Sequence, residues 1–283
     1  MSRPVTVGLD GSPESVVAAD WAAHEAALLG LPLRLVHAGD QPPHDWVPFA
    51  GEAVPPPGAD RAAHLLREAE ASLARRHPGL RVTSEQLAGR PAVALVAAAR
   101  EAEMLVLGSR GLGRAAGYLL GSVASAVVAR AARPVVLVRA GTGTDDGQRP
   151  ESRGAVPSPD VVLGLGLHDL PADPLLAFAF EAAARRSAVL RIVHGRKPGA
   201  HPAEEAEPTG ALRPWQDKFP GVEVTQEAVI GSPGPHLVDS SRDAALVVVG
   251  RRNRAALVGP HIGPVTHQVL QGAAAPVAVV PLD

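Results

Sequence analysis

The chain has 283 residues, a length that suits two ordinary domains, and its 46% hydrophobic and 20% charged content predicts packed cores rather than disorder. A net charge of −2 without a long basic run disfavours a nucleic-acid partner, and the lack of cysteine excludes disulfides, thiolate zinc sites and cysteine-held iron–sulfur clusters. No apolar run reaches the roughly 18 residues of a membrane helix, and no signal-peptide core follows Met1, so a cytoplasmic protein with no membrane partner is expected.

The elements follow in order. Val5 to Leu9 is a short apolar strand, and Ser12 caps a helix with Pro13 in its first turn that stops at Gly30. Leu33 to Val36 is the second strand, followed by a proline-rich loop from Gln41 to Gly58. Arg61 to Arg76 is a charged, solvated helix, and Arg81 to Gln86 is the third strand. Pro91 to Glu101 is a helix, Met104 to Leu107 the fourth strand, Val123 to Ala132 a helix, and Val135 to Val138 the fifth strand. Strands alternating with helices predict an α/β fold with parallel pairing and helices on both faces. With aromatics at only 3%, Ala, Val and Leu must build the core.

The chain then repeats itself. Gly89-Arg90-Pro91 returns as Gly231-Ser232-Pro233, and Met104 to Gly108 returns as Leu246 to Gly250, both 142 positions on. Val5 to Leu9 returns 156 positions on as Val161 to Leu165, and Leu35-Val36-His37 returns 157 on as Ile192-Val193-His194. The falling offset means that the second copy lacks about 15 residues opposite the Gln41 to Asp60 region. Such a period is too long for a solenoid and predicts tandem domains at 1–140 and 159–283. The Gly-, Ser- and Pro-rich segment 141–158 between them reads as a linker.

The most informative stretch is Gly108-Ser109-Arg110-Gly111-Leu112-Gly113-Arg114, closed by Gly121-Ser122. It runs from the end of a strand to the start of a helix. Glycines let the backbone approach an anion, and a helix start offers unpaired N–H groups. Asp10, His37 and Gly108 all fall at carboxyl ends of strands, where ligands of such folds bind. The stretch is not the phosphate loop that ends in Gly-Lys-Ser or Gly-Lys-Thr, because neither tripeptide occurs. Arg110 replaces the second glycine of the dinucleotide fingerprint, and the looser match Gly111-x-Gly113 lacks the acidic residue about 20 positions on.

With Asp10-Gly11-Ser12 and Gly89-Arg90-Pro91, the spacing Gly108-x2-Gly111-x9-Gly121-Ser122 resembles the universal stress protein family, over nearly the whole chain as two tandem copies. The resemblance implies two Rossmann-like domains of the adenine nucleotide alpha hydrolase type, each a five-stranded, mainly parallel sheet. It implies ATP, with AMP or ADP as alternatives, and Mg2+ or Mn2+ on the phosphates. Asp10 would lie near the ribose and phosphates, and the backbone of Val36, His37 and Ala38 would read the adenine edge. The amides of Gly108, Gly111 and Gly121, in a loop that also holds Gly113, would approach ribose and phosphates. Ser122 would donate hydroxyl and amide. Arg110 and Arg114 either add positive charge or are solvated. The family also pairs its last, apolar strand with that of a partner domain, so the two copies are expected to pair within the chain, with a homodimer as a further expectation.

The second copy departs from this pattern: Gly166 stands for Asp10, Asn253 for Gly111 and Pro264 for Ser122. Proline removes a hydroxyl and an amide, so an ordinary ATP site is not expected there, although Arg251, Arg252 and Arg254 keep its loop basic. His44, Trp46 and Phe49 in the proline-rich loop either pack on themselves or form a flap over the first site. No general base and no phosphate-binding lysine stand near the first loop. The expectation is therefore a regulatory ATP binder with no catalytic residue assigned. A slow ATPase and a non-nucleotide interaction protein are the alternatives.

Overall fold

The computed structural model describes residues 2–39, 59–109, 120–140, 159–166, 172–196, 208–252 and 262–282. In the first half the elements are β1 (Val5–Gly8), α1 (Pro13–Leu29), β2 (Leu33–Gly39), α2 (Ala59–Arg76), β3 (Val82–Ala88), α3 (Pro91–Glu101), β4 (Met104–Ser109), α4 (Ser122–Arg130) and β5 (Val135–Arg139). The second half repeats the order as β6 (Asp160–Leu165), α5 (Asp173–Arg186), β7 (Leu190–Arg196), α6 (Thr209–Lys218), β8 (Val224–Ile230), α7 (Gly234–Ser240), β9 (Ala244–Arg251), α8 (Pro264–Gly272) and β10 (Val277–Pro281). The Gln41 to Gly58 loop and the 141–158 linker lie outside the described residues.

All ten strands form one sheet, in the order β3-β2-β1-β4-β5-β10-β9-β6-β7-β8. Within each half every pairing is parallel. The halves join where β5 meets β10 antiparallel, with Val277 opposite Leu137 and Val279 opposite Val135. The expected intrachain pairing of last strands is thus the central seam of the molecule. It covers two strand edges made almost wholly of Val, Leu and Ala, which would otherwise be exposed templates for association.

Alternation along the strands divides the core into two layers. Val5, Val7, Leu33, Leu35, Leu163 and Ile192 face one side, beneath the alanine-rich helices α1 and α5. Leu105, Leu107, Val247 and Val249 face the other, beneath α3, α4, α7 and α8. Each layer draws residues from both halves, so apolar burial is continuous across the seam. Alanines at 18, 19, 22, 23 and 26 let α1 lie close to the sheet. In the second half Phe180 of α5 stacks with Trp215 of α6 and with Phe219, which follows that helix.

Strand β2 runs to Gly39 rather than ending at Val36, because its pairing with β3 continues through His37, Ala38 and Gly39. Pairing with a strand distant in sequence extends β2 beyond its apolar run. The backbone expected to read an adenine edge is therefore the last, ladder-bonded part of a strand, not a free loop.

Candidate functional site

In the first half, β1 is followed by β2 and β3 on one side, while β4 and β5 lie on the other. The strand order reverses between β1 and β4, and the crevice outside their carboxyl ends is the usual ligand position in such sheets. Asp10 follows β1, Gly108 and Ser109 end β4, and α4 starts beyond them.

The segment after β1 is held by its own hydrogen bonds. Gly11 has φ +82°, a left-handed conformation that glycine adopts without steric cost. The Asp10 Oδ1 accepts from the Ser12 amide at 2.9 Å and from the Ser12 hydroxyl. Ser12 caps α1, its Oγ accepting from the Ser15 amide at 3.2 Å, as the capping reading requires. The Asp10 carboxylate is thus oriented at the mouth of the crevice by the turn that starts the helix.

His37 ties β2 to this turn. Its Nδ1 lies 2.7 Å from the Leu9 carbonyl oxygen, and the Leu9 amide donates to Val36 O at 2.8 Å. A carbonyl can only accept, so Nδ1 carries the proton of this contact. The strand segment Val36–Ala38 and the Asp10 turn are fastened together through Leu9.

Gly108 is a glycine for a reason that the loop pattern did not reveal. A Cβ there would stand 2.6 Å from the Glu14 carbonyl carbon and 2.7 Å from the Ser15 amide nitrogen. The first turn of α1 lies directly on the end of β4, and only a missing side chain permits that approach. Gly121 contrasts with it. It is the N-cap of α4, at φ −58° and ψ 148°, and a Cβ there would meet nothing within 4 Å among the described residues. Among the described residues no side chain caps this helix start, and Ser122, its first residue, is exposed. Among these residues the first-turn amides of α4 therefore have no side-chain cap, and the positive end of the helix dipole lies behind them. Arg110, Gly111, Gly113 and Arg114 lie outside the described residues, as do His44, Trp46 and Phe49.

The second half differs at the same place. A Cβ on Gly250, the repeat of Gly108, would meet Leu282 at 3.1 Å and Leu175 at 3.3 Å. Helix α5 begins at Asp173, in register with residue 16 of the first half, so it lacks the turn that packs on Gly108, and Leu175 occupies that space. The Thr266 hydroxyl donates to the Gly250 carbonyl at 2.9 Å. Pro264 occupies the first position of α8, where proline is well tolerated but offers no amide. Apolar side chains thus cover the floor of this switch point.

One sequence expectation is corrected here. Arg251, read as a basic residue of the second loop, is the buried end of β9, donating to Ala129 O at 3.0 Å and to Ala131 O at 2.6 Å. It holds the carbonyls that end α4, across the seam in the other half, so it is engaged in structure rather than available to an anion. Arg139 of β5 makes the reciprocal contact with Leu270 O at 2.6 Å, at the end of α8. The sequence carried no signal for either contact, because each spans more than a hundred residues.

Among the described residues no group of three or more His, Asp or Glu could hold a metal ion, and no helix is long and apolar enough to cross a membrane. The family model of the universal stress protein family matches residues 1–139 and 161–281. A universal stress protein of Mycobacterium tuberculosis is 35% identical over a 302-residue alignment that covers 99% of each chain. Another from Mycolicibacterium smegmatis is 32% identical, covering 98% of this chain and 96% of its own. The crystal structure of a universal stress protein from Archaeoglobus fulgidus superposes with a TM-score of 0.73 at 17% identity, over the whole of both chains, and so shares the fold. Two family-model matches in tandem, and relatives aligned from end to end, show that the chain belongs to the universal stress protein family.

Proposed function

We propose that the first half binds one adenine nucleotide, ATP in the first instance, and that the protein acts as a cytoplasmic nucleotide-dependent regulator rather than as an enzyme. The observation that carries this reading is the convergence at the β1–β4 crevice. The oriented Asp10 carboxylate follows β1, the Val36–Ala38 segment ends β2 and the start of α4 follows β4, so all three belong to the carboxyl end of the sheet at its switch point. The donor set suits a phosphate. The amides of Ser122 and its successors and the Ser122 hydroxyl can donate to phosphate oxygens at the positive end of a helix. The Asp10 carboxylate suits a ribose hydroxyl or the hydration shell of a cation. Mg2+ or Mn2+ would be held chiefly by the phosphates and would offset their charge. AMP and ADP fit the same adenine and ribose contacts with fewer phosphates.

Residues 1–140 contain no lysine, and the Asp10 carboxylate is held by Ser12. Phosphoryl transfer depends on positioning and on charge stabilisation of the moving phosphate. This set of groups favours holding a nucleotide over cleaving it. The second half, with Leu175 and Leu282 over Gly250 and Pro264 at the helix start, is assigned no nucleotide.

The test is to purify the chain without added nucleotide, denature it by heat and record the absorbance spectrum and chromatogram of the supernatant. An adenine nucleotide in about equimolar amount is expected. A supernatant without nucleotide, combined with no ATP binding by the refolded or native chain, would remove the proposal.

A further inference from the structure

The seam between the halves carries an asymmetric charge pattern on its α1–α5 side. Glu25 of α1 is buried, with only 1% of its surface exposed. One carboxylate oxygen accepts from the Arg186 guanidinium, and the other lies 3.7 Å from Arg185 Nη2. Both arginines belong to α5, in the other half. Arg186 also donates to Ala182 O at 3.1 Å, and Arg185 pairs with Glu181 of its own helix at 3.5 Å.

The repeat shows what each half would offer to a copy of itself. Helices α1 and α5 both end in a left-handed residue, Gly30 with φ 64° and Ser187 with φ 48°. Aligned on these caps, Ala182 is the counterpart of Glu25, and Arg185 and Arg186 are the counterparts of Leu28 and Leu29. If two first halves met through their last strands, they would bury two Glu25 carboxylates against leucines with no guanidinium opposite. If two second halves met, they would bring four guanidiniums together, with Ala182 where the carboxylate should be and Glu181 already engaged. A buried charge left without its partner is strongly unfavourable, and like charges held close add to this. Only a first half facing a second half satisfies the set.

We propose that Glu25, Arg185 and Arg186 select the partner of the seam, so that the first half accepts the second half of this chain and both like-with-like pairings are rejected. The consequence is architectural. Every chain carries two apolar last strands, β5 and β10. Pairing β5 with β5 and β10 with β10 of other chains would link each molecule to two others and propagate without closing. The charge set instead favours pairing of a first half with a second half, the arrangement that in this structure consumes both edges within one molecule. The buried arginine caps do not discriminate in this way. A first-half pair would keep the Arg139 contact twice and a second-half pair the Arg251 contact twice, so partner choice falls to Glu25 and its two arginines. The inference is independent of the nucleotide reading.

The test uses the full chain in four forms: wild type, Glu25→Arg, the double variant Arg185→Glu with Arg186→Glu, and all three changes together. Thermal midpoint and size distribution by light scattering are measured across a range of concentrations. Glu25→Arg and the double variant are expected to lower the midpoint by several degrees and to shift the population to larger, concentration-dependent species. The combined variant restores the opposite-charge pair in reversed orientation and is expected to recover much of the midpoint and the wild-type size distribution. If the one-sided variants fail to fold, recovery in the combined variant still decides the matter. The proposal is overturned if the combined variant is no better than the one-sided ones, or if Glu25→Arg behaves as wild type in both measurements.

Discussion

Gly108 and Gly121 show how one residue type serves two purposes in one motif. Gly108 exists because the backbone of α1 lies against it, so Gly108→Ala forces a Cβ to within 2.6 Å of the Glu14 backbone. The expected loss is about 1–3 kcal/mol of stability, with weaker ATP affinity because the Asp10 turn moves as well. Gly121→Ala meets none of the described residues within 4 Å and should change stability by less than about 1 kcal/mol, the scale of an N-cap substitution. Its added methyl group intrudes where the phosphate is proposed, so affinity should fall while the thermal midpoint stays near wild type. Thermal melts and calorimetry on both variants separate the two roles. Equal behaviour of the pair would contradict the assignment. The repeat also marks an internal defect. Thr6 is fully buried in β1 and its hydroxyl has no hydrogen-bond partner among the described residues, whereas the second copy has the equally buried Val162 at that position. Thr6→Val keeps the shape and removes an unsatisfied group, so chemical denaturation should show a gain of about 1 kcal/mol.

At the scale of elements, the periodic segments were legible and the junctions less so. Ser12-Pro13 and Gly30 bound α1 as their capping chemistry predicts, with the Ser12 hydroxyl on the Ser15 amide and Gly30 left-handed. The end of β2 was misplaced, because the ladder with β3 is a contact distant in sequence and no local signal records it. The same limit explains Gly108 and Arg251. A motif shows that a glycine or arginine is present, but not which distant backbone it meets. Arg251→Ala provides the check at this scale. It leaves the Ala129 and Ala131 carbonyls, at the end of α4, without their guanidinium donor. A loss of about 2–3 kcal/mol is expected by denaturation, unlike a solvated loop arginine, whose removal changes little.

At the scale of the molecule, duplication was the clearest sequence signal, and the structure adds how the copies are joined. The seam merges two sheets into one of ten strands, while the switch points of the halves stay separate and have diverged. In one, the helix start has no side-chain cap among the described residues; in the other, Leu175 and Leu282 stand over Gly250. The substitutions in the second loop marked where the halves differ, but the apolar cover over Gly250 was not legible, because Leu175 and Leu282 lie far from Gly250 in sequence. A single binding site has a thermodynamic signature. ATP at one hundred times its Kd should raise stability by about 2.7 kcal/mol, the increment of one site.

The central claim is best tested by calorimetric titration of ATP and Mg2+ into the full chain and into Ser122→Pro. Proline already occupies the matching position of α8, at Pro264, so the fold should tolerate it at the start of α4 while losing one amide and one hydroxyl donor. The account predicts one ATP per wild-type chain, and for Ser122→Pro at least a tenfold weaker Kd, about 1.4 kcal/mol, with a nearly unchanged thermal midpoint. Two equivalent sites, or undiminished binding by a folded Ser122→Pro chain, would contradict it.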